Sequence, residues 1–186
     1  GFIGSVLVRK LLDNGSKVTV FDNFSLGKKK FLPKNLKLSI IKGDIRNYSL
    51  LEKSIKNHDF VFHLAANSDI AAGTIDTKLD FDVNTVGTLN VLNAMKKHKI
   101  PNIVFASSSA VFGFPSKFPT SEDYGPCFPE SHYGASKLAS EGFISSFSHL
   151  YKIRAWIFRF ANITGSPATH GILFDFAKKL QLNSKT

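Results

Sequence analysis

The sequence predicts an α/β fold built on a doubly wound parallel sheet of the Rossmann kind. Three observations predict it. Short β-branched or aromatic runs alternate with longer stretches of helical periodicity, the chain opens on a Gly-x-x-Gly turn, and an Asp closes the strand that follows.

The elements follow in order. Gly1-Phe2-Ile3-Gly4 leads straight into a helical pattern from Ser5 to Asn14. Strands are expected at Val18–Phe21, Leu38–Ile41, Phe60–His63, Ile103–Ala106 and Ala155–Phe158, each bounded by polar or turn residues. The remaining helices are expected at Ser49–Lys56, Phe81–His98, Tyr133–Leu150 and Ile172–Leu182. In the Phe81–His98 helix, Val83, Val86, Leu89, Leu92 and Met95 recur at helical spacing, and Val91 widens the stripe. Two connections, Ala66 to Asp80 and Ser107 to His132, are longer than compact αβ joints need, and long loops after strands carry sites in this architecture. No strand precedes the glycine turn, although a doubly wound sheet has its first strand at the centre. The sequence therefore reads as incomplete at its N-terminus, with residues 1–165 as the dinucleotide-binding domain and 166–186 as the truncated start of a substrate-binding region.

A chain of 186 residues with 43% hydrophobic content suits one well-buried domain. The lone Cys127 cannot form an internal disulfide, and no signal-like or membrane-length apolar run is present, so a soluble protein in the cytoplasm is expected. The formal charge of +10 invites a nucleic-acid reading, but Lys28-Lys29-Lys30 is the only run of three. Lys53, Lys56, Lys96 and Lys97 sit where amphipathic helices face water, and the basic field suits anionic small substrates better. Neither nucleic acid, membrane nor metal is expected as a partner.

The chemistry lies in a few positions. A helix opening on Gly1-x-x-Gly4 offers free N–H groups and a positive dipole end to a pyrophosphate, although two glycines at this spacing also make ordinary turns. Asp22, about 20 residues after the glycines, stands where a carboxylate accepts from adenosine ribose hydroxyls and repels a 2′-phosphate. Tyr133 and Lys137 are i and i+4 on one helix face, so an ammonium there would favour the phenolate and bring the phenol into range as a base. Ser107-Ser108-Ser109 follows a buried strand, at the sheet edge where ligands bind in open α/β folds.

Taken together, these positions resemble the extended short-chain dehydrogenase/reductases, and within them the nucleotide-sugar epimerases, from Gly1 to about Leu182. The resemblance implies NAD as cofactor. It implies contacts to the cofactor from Gly1, Phe2, Ile3 and Gly4, from Asp22, Asn23, Ser25 and Gly27 in the ribose and adenine loop, and from Asp44 and Ile45 after the next strand. It also implies contacts from Leu64, Ala65 and Ala66 after His63, from Ser107, Tyr133 and Lys137, and from Ala161; Asn84 is the helix residue that ties down neighbouring loops. Asn67, Ser108, Tyr133 and Asn162 are the expected substrate contacts. Ser108 falls on the family's catalytic Ser/Thr when counted back from Gly113, although Phe112 stands where Tyr is usual, and Thr164 and Ser166 also depart from the usual residues.

The resemblance further implies a mechanism. Tyr133 would take the proton from the sugar O4, Lys137 would hold the nicotinamide ribose and lower the tyrosine pKa, and Ser108 would donate to the oxygen. C4 of a UDP-glucose or UDP-galactose type of sugar would invert through a 4-keto sugar. Ser109 and Ala110 stand where related dehydratases carry Asp-Glu and cannot move the protons of an elimination, which favours an epimerase. Reductase and decarboxylase activities, and a non-catalytic NAD-binding module, are the alternatives. The helices Phe81–His98 and Tyr133–Leu150 resemble those of the family's dimer interface, so a homodimer is expected.

Overall fold

The computed structural model describes residues 1–166 and 172–183. Its contacts gather into two compact units, Gly1–Lys42 with Asn162–Thr186, and Gly43–Ala161. This division cuts across the expected one at residue 165, and residues 167–171 and 184–186 of the expected substrate region lie outside the described residues.

The first unit holds α1 (Phe2–Asp13), β1 (Val18–Asp22), a 3-10 turn at Lys29–Phe31, β2 (Leu38–Lys42) and α7 (Ile172–Asn183). Ser5, Val8 and Leu12 form the buried stripe of α1 at helical spacing. The helix stops at Gly15, whose φ of +84° suits the reversal in which the Gly15 and Ser16 amides cap the Leu12 and Leu11 carbonyls. β1 and β2 pair in parallel, from Val18 opposite Leu38 to Asp22 opposite Lys42.

The second unit runs α2 (Tyr48–Ile55), β3 (Phe60–His63), α3 (Ile70–Ile75), α4 (Thr77–Asp80), a π-helical turn (Phe81–Val86) and α5 (Gly87–His98). It continues through β4 (Asn102–Ser108), a 3-10 turn (Ser109–Phe112), α6 (His132–Tyr151) and β5 (Arg154–Phe160). Its sheet is parallel in the order β3-β4-β5. Along β4 the faces alternate: Ile103, Phe105 and Ser107 are buried, while Val104, Ala106 and Ser108 are half-buried. α6 packs on α5, β4 and β5, and Leu92, Met95, Ile103, Phe105 and Ile144 form the core there. Aromatic residues stack along the sheet, Phe60 on Phe62 at 4.8 Å and on Trp156 at 5.6 Å, and Phe158 on Phe160 at 5.7 Å.

The described strands form two parallel sheets, β1-β2 and β3-β4-β5, in keeping with the expected parallel α/β class, and no strand precedes α1 among the described residues. Two expectations need correction. The 66–80 connection carries α3 and α4, which Asp69 and Asp76 start by capping the amides of Ala72 and Lys78. The helix expected over Phe81–His98 begins as a π turn, and there the buried residues are Asn84, Thr85 and Thr88 rather than Val83 and Val86. The extra residue of a π turn rotates the face, and the polar side chains turned inwards find partners. No described helix is long and apolar enough to cross a membrane.

Candidate active site and cofactor cradle

In the second unit the site starts where β4 ends. Ser131 caps α6 by accepting from the Gly134 amide at 3.0 Å, which places Tyr133 in the first turn. Gly134 must be glycine here, because a Cβ would stand 2.5 Å from the Ala110 carbonyl oxygen. That close approach brings the start of α6 against the turn after Ser108. The Ser108 hydroxyl bonds the Tyr133 phenol and lowers its pKa, but burial, the larger effect, raises it, and the Asp80 charge raises it further.

Lys137 is buried, with 3% of its surface exposed. Its ammonium donates to the Ala106 carbonyl at 2.8 Å and lies 4.8 Å from the centre of the Phe105 ring and 5.8 Å from that of Tyr133. Burial lowers its pKa to about 8, against the opposing pull of Asp80. The expected lowering of the Tyr133 pKa by Lys137 is thus not seen. The ammonium is committed to a backbone carbonyl, and the phenol titrates above the ordinary tyrosine value.

Behind this pair lies a buried polar network. Asn84 accepts from the Asn67 amide at 2.8 Å and donates to Ser136 Oγ at 2.9 Å, so it ties the loop after β3 to α6. Ser136 donates to the Tyr133 carbonyl at 2.7 Å, and Ser140 to the Asn84 carbonyl at 3.1 Å. Thr88 donates to the same carbonyl at 2.5 Å, which leaves its oxygen to accept from His63 Nε2 at 2.8 Å. With 1% exposure, Asn84 spends its amide on this support.

Ser107 lies on the opposite face of β4 from Ser108. Its hydroxyl donates to Glu141 Oε1 at 2.5 Å, and Arg159 grips the same carboxylate through Nη2 at 2.8 Å and Nε at 3.1 Å. The Arg159 guanidinium also donates to the Glu122 carbonyl at 3.2 Å and lies 4.8 Å from the centre of the Phe112 ring, which anchors the 113–131 loop. Nothing in the sequence reading singled out Glu141 or Asp80. Each had a signal, since Glu141 repeats the Tyr133 and Lys137 spacing and Asp80 precedes Asn84 by one helical turn.

The remaining second-unit candidates are placed as follows. Leu64, Ala65, Ala66 and Asn67 run half-buried from the end of β3, and Ala161 is exposed after β5. Asp44 is held by Arg46 at 2.8 Å, and Ile45 is buried against Gly87, where a side chain would collide with it.

In the first unit, Gly1 precedes α1, whose first turn carries neither a side-chain cap nor an acidic residue, so its N–H groups are available to an anion. Open space surrounds the position a Gly1 Cβ would take. Asp22 Oδ1 accepts from the Phe24 amide at 2.7 Å, while Oδ2 lies 3.8 Å from the Gly1 nitrogen. Phe24 is held at a φ of +59°, a strained conformation for a bulky residue. Asn23 Oδ1 accepts from the Ser25 amide at 2.9 Å, and a Cβ on Gly27 would stand 2.9 Å from the Gly1 nitrogen. The glycine turn, Asp22 and Gly27 are therefore together. Asn162 is exposed, with Phe2, Ile3 and Gly4 half-buried at the start of α1. These donors and the carboxylate fit a pyrophosphate and a ribose diol, and the Lys137 ammonium has protons to give beyond the one on Ala106.

The parallel strand pairs with flanking helices place the chain in the Rossmann-like class of α/β folds. The chain belongs to the NAD dependent epimerase/dehydratase family, whose model matches residues 1–184. It is 39% identical over 189 residues to a Methanocaldococcus jannaschii protein provisionally named as a UDP-glucose 4-epimerase, covering 98% of this chain and 61% of that one. It is 33% identical over 173 residues to the UDP-glucose 4-epimerase of Corynebacterium glutamicum, covering 92% and 51%. Among solved structures, a UDP-galactose 4-epimerase superposes with a TM-score of 0.90 at 38% identity, covering 99% of this chain and 61% of that one. The Thermus thermophilus UDP-glucose 4-epimerase in complex with NAD gives 0.87 at 32% identity, covering 96% and 58%. The chain thus spans 51–61% of the length of these relatives.

Proposed function

We propose that this chain belongs to an NAD-dependent nucleotide-sugar epimerase that inverts C4 of a sugar of the UDP-glucose or UDP-galactose type through a 4-keto intermediate. The observation that carries the reading is the Ser108–Tyr133–Lys137 group, assembled at the end of β4 and the start of α6. When bound, NAD supplies a reversible acceptor for the hydrogen at C4. Tyr133 takes the proton from O4 and returns it, Ser108 donates to that oxygen as charge develops, and Lys137 fixes the cofactor's ribose with the protons that Ala106 does not use.

The α1 N-terminus and Gly1 to Gly4 would hold the pyrophosphate, with Asp22 on the adenosine ribose and Asn23, Ser25 and Gly27 beside it. Asp44, Ile45 and residues 64–66 would serve the cofactor as the resemblance implies, and Asn67 and Asn162 the substrate. Support for an epimerase over a dehydratase comes from Ser109 and Ala110, neither of which can carry the protons of an elimination. A cytoplasmic homodimer using α5 and α6 completes the proposal, supported by exposed Phe143, Leu150 and Tyr151 on α6. The test is to incubate the intact enzyme with a panel of nucleotide-sugars and follow C4 by NMR with no reduced cofactor added. Inversion is expected. In a parallel arm with NADH added, its stoichiometric consumption without inversion replaces the epimerase with a reductase.

A further inference from the structure

Asp80 ends α4 with 1% of its surface exposed. Its Oδ1 accepts from Asn67 Nδ2 at 2.8 Å and from Asn84 Nδ2 at 3.3 Å. Its Oδ2 has no hydrogen-bond partner and lies against Gly73, where a Cβ would collide with it. Glycine at position 73 is what lets the carboxylate sit there.

From this carboxylate a chain of hydrogen bonds reaches the catalytic tyrosine. Asn84 Nδ2, which touches Asp80, also donates to Ser136 Oγ at 2.9 Å, and Ser136 donates to the Tyr133 carbonyl at 2.7 Å. The same cluster fixes Asn67 through both its amide and its side chain. An amide in place of the carboxylate would serve most of these bonds, so the charge calls for a separate reason. A buried carboxylate is costly unless a cation answers it. The buried cation here is Lys137, which has a carbonyl as its hydrogen-bond partner and no carboxylate in ion-pair range among the described residues.

We propose that Asp80 is a positioning residue for the Tyr133–Lys137 pair, locking Asn67 and Asn84 to α6 and acting through space as the counter-charge of the Lys137 ammonium. The Asp80 charge raises the pKa of both Lys137 and Tyr133. The other titratable groups nearby do not compete. His63 on β3, with its pKa pushed down to about 3, is neutral; Glu141 on α6 is engaged by Ser107 and Arg159; Asp82 on the π turn acts on Arg46.

The proposal rests on the epimerase reading, and its test separates the two. The pH dependence of kcat is measured with UDP-galactose for the intact wild type, Asp80→Asn and Ser136→Ala. Asp80→Asn keeps the shape and one acceptor but loses the charge, so both limbs of the profile move to lower pH by roughly half a unit. Ser136→Ala keeps the charge and leaves the limbs in place, while kcat falls about tenfold through a loosened tyrosine. This small truncation keeps the positioning claim open to refutation even if Asp80→Asn does not fold. A superimposable Asp80→Asn profile refutes the counter-charge, and a Ser136→Ala kcat equal to wild type refutes the positioning. If wild type inverts C4 and either result is found, the inference about Asp80 fails alone; absence of inversion in wild type overturns the functional reading instead.

Discussion

At the scale of the residue, burial and the Asp80 charge raise the Tyr133 phenol and the Ser108 hydroxyl lowers it. Ser108→Ala removes the lowering influence, so the phenolate becomes scarcer and kcat at neutral pH falls. Ser107 cannot stand in, because its hydroxyl is given to Glu141 on the other face of β4. A rate profile for Ser108→Ala that coincides with wild type would show that this bond does not act on the phenol. Asp22 makes a second prediction. With Oδ1 engaged by Phe24 and Oδ2 beside the glycine turn, its charge repels a 2′-phosphate, so calorimetry should find NAD bound more tightly than NADP and the preference lost in Asp22→Ala. Equal affinities in wild type would contradict the assignment. These residues were legible in the sequence because each sits at a motif spacing. Lys137 was legible as a partner of Tyr133 but not in its action, since its turn onto the Ala106 carbonyl depends on where β4 lies under α6.

Among the elements, the approach of α6 to the turn after β4 decides whether Tyr133 meets Ser108. Gly134→Ala places a methyl against the backbone of Ala110, which cannot yield as a flexible side chain would. Overpacking of this kind costs ~1–3 kcal/mol, and the displaced turn carries Ser108 with it. Denaturant titration should show the loss, and kcat should fall more than affinity for NAD; an unchanged stability would mean the two elements do not meet this closely. The clamp of Glu141 on Ser107 and Arg159 makes the neighbouring case. Glu141→Gln leaves the guanidinium short of a charged acceptor, at about 1–3 kcal/mol, and frees the 113–131 loop that Arg159 holds through Glu122, visible as faster amide exchange there. Strand and helix periods made most element positions readable, with ends up to three residues out. The π turn at Phe81–Val86 was not readable, because a hydrophobic stripe at regular spacing gives no sign of an inserted residue; only the inward placement of Asn84, Thr85 and Thr88 reveals it.

For the molecule as a whole, His63 contributes to acid sensitivity. Its pKa falls from 6.5 to about 3 by burial first and by the Lys137 charge second, so the folded protein keeps it neutral where the unfolded chain binds a proton. Stability from this source is complete above pH 6.5 and is lost as the pH falls towards 3. His63→Gln retains a donor for Thr88 without titrating, and its thermal midpoint should decline less steeply than that of wild type over this range; parallel declines would place acid sensitivity elsewhere. The parallel strand pairs and family membership agree with the fold class expected from the alternating pattern, whereas the division into two units follows contacts between distant segments that no local pattern records. The central claim is that C4 is oxidised and reduced by the same hydrogen. UDP-galactose deuterated at C4 is converted by the intact enzyme in ordinary water, and the product is read by NMR. Deuterium retained at C4 of the inverted sugar is the predicted result, and its replacement by solvent hydrogen would contradict the account.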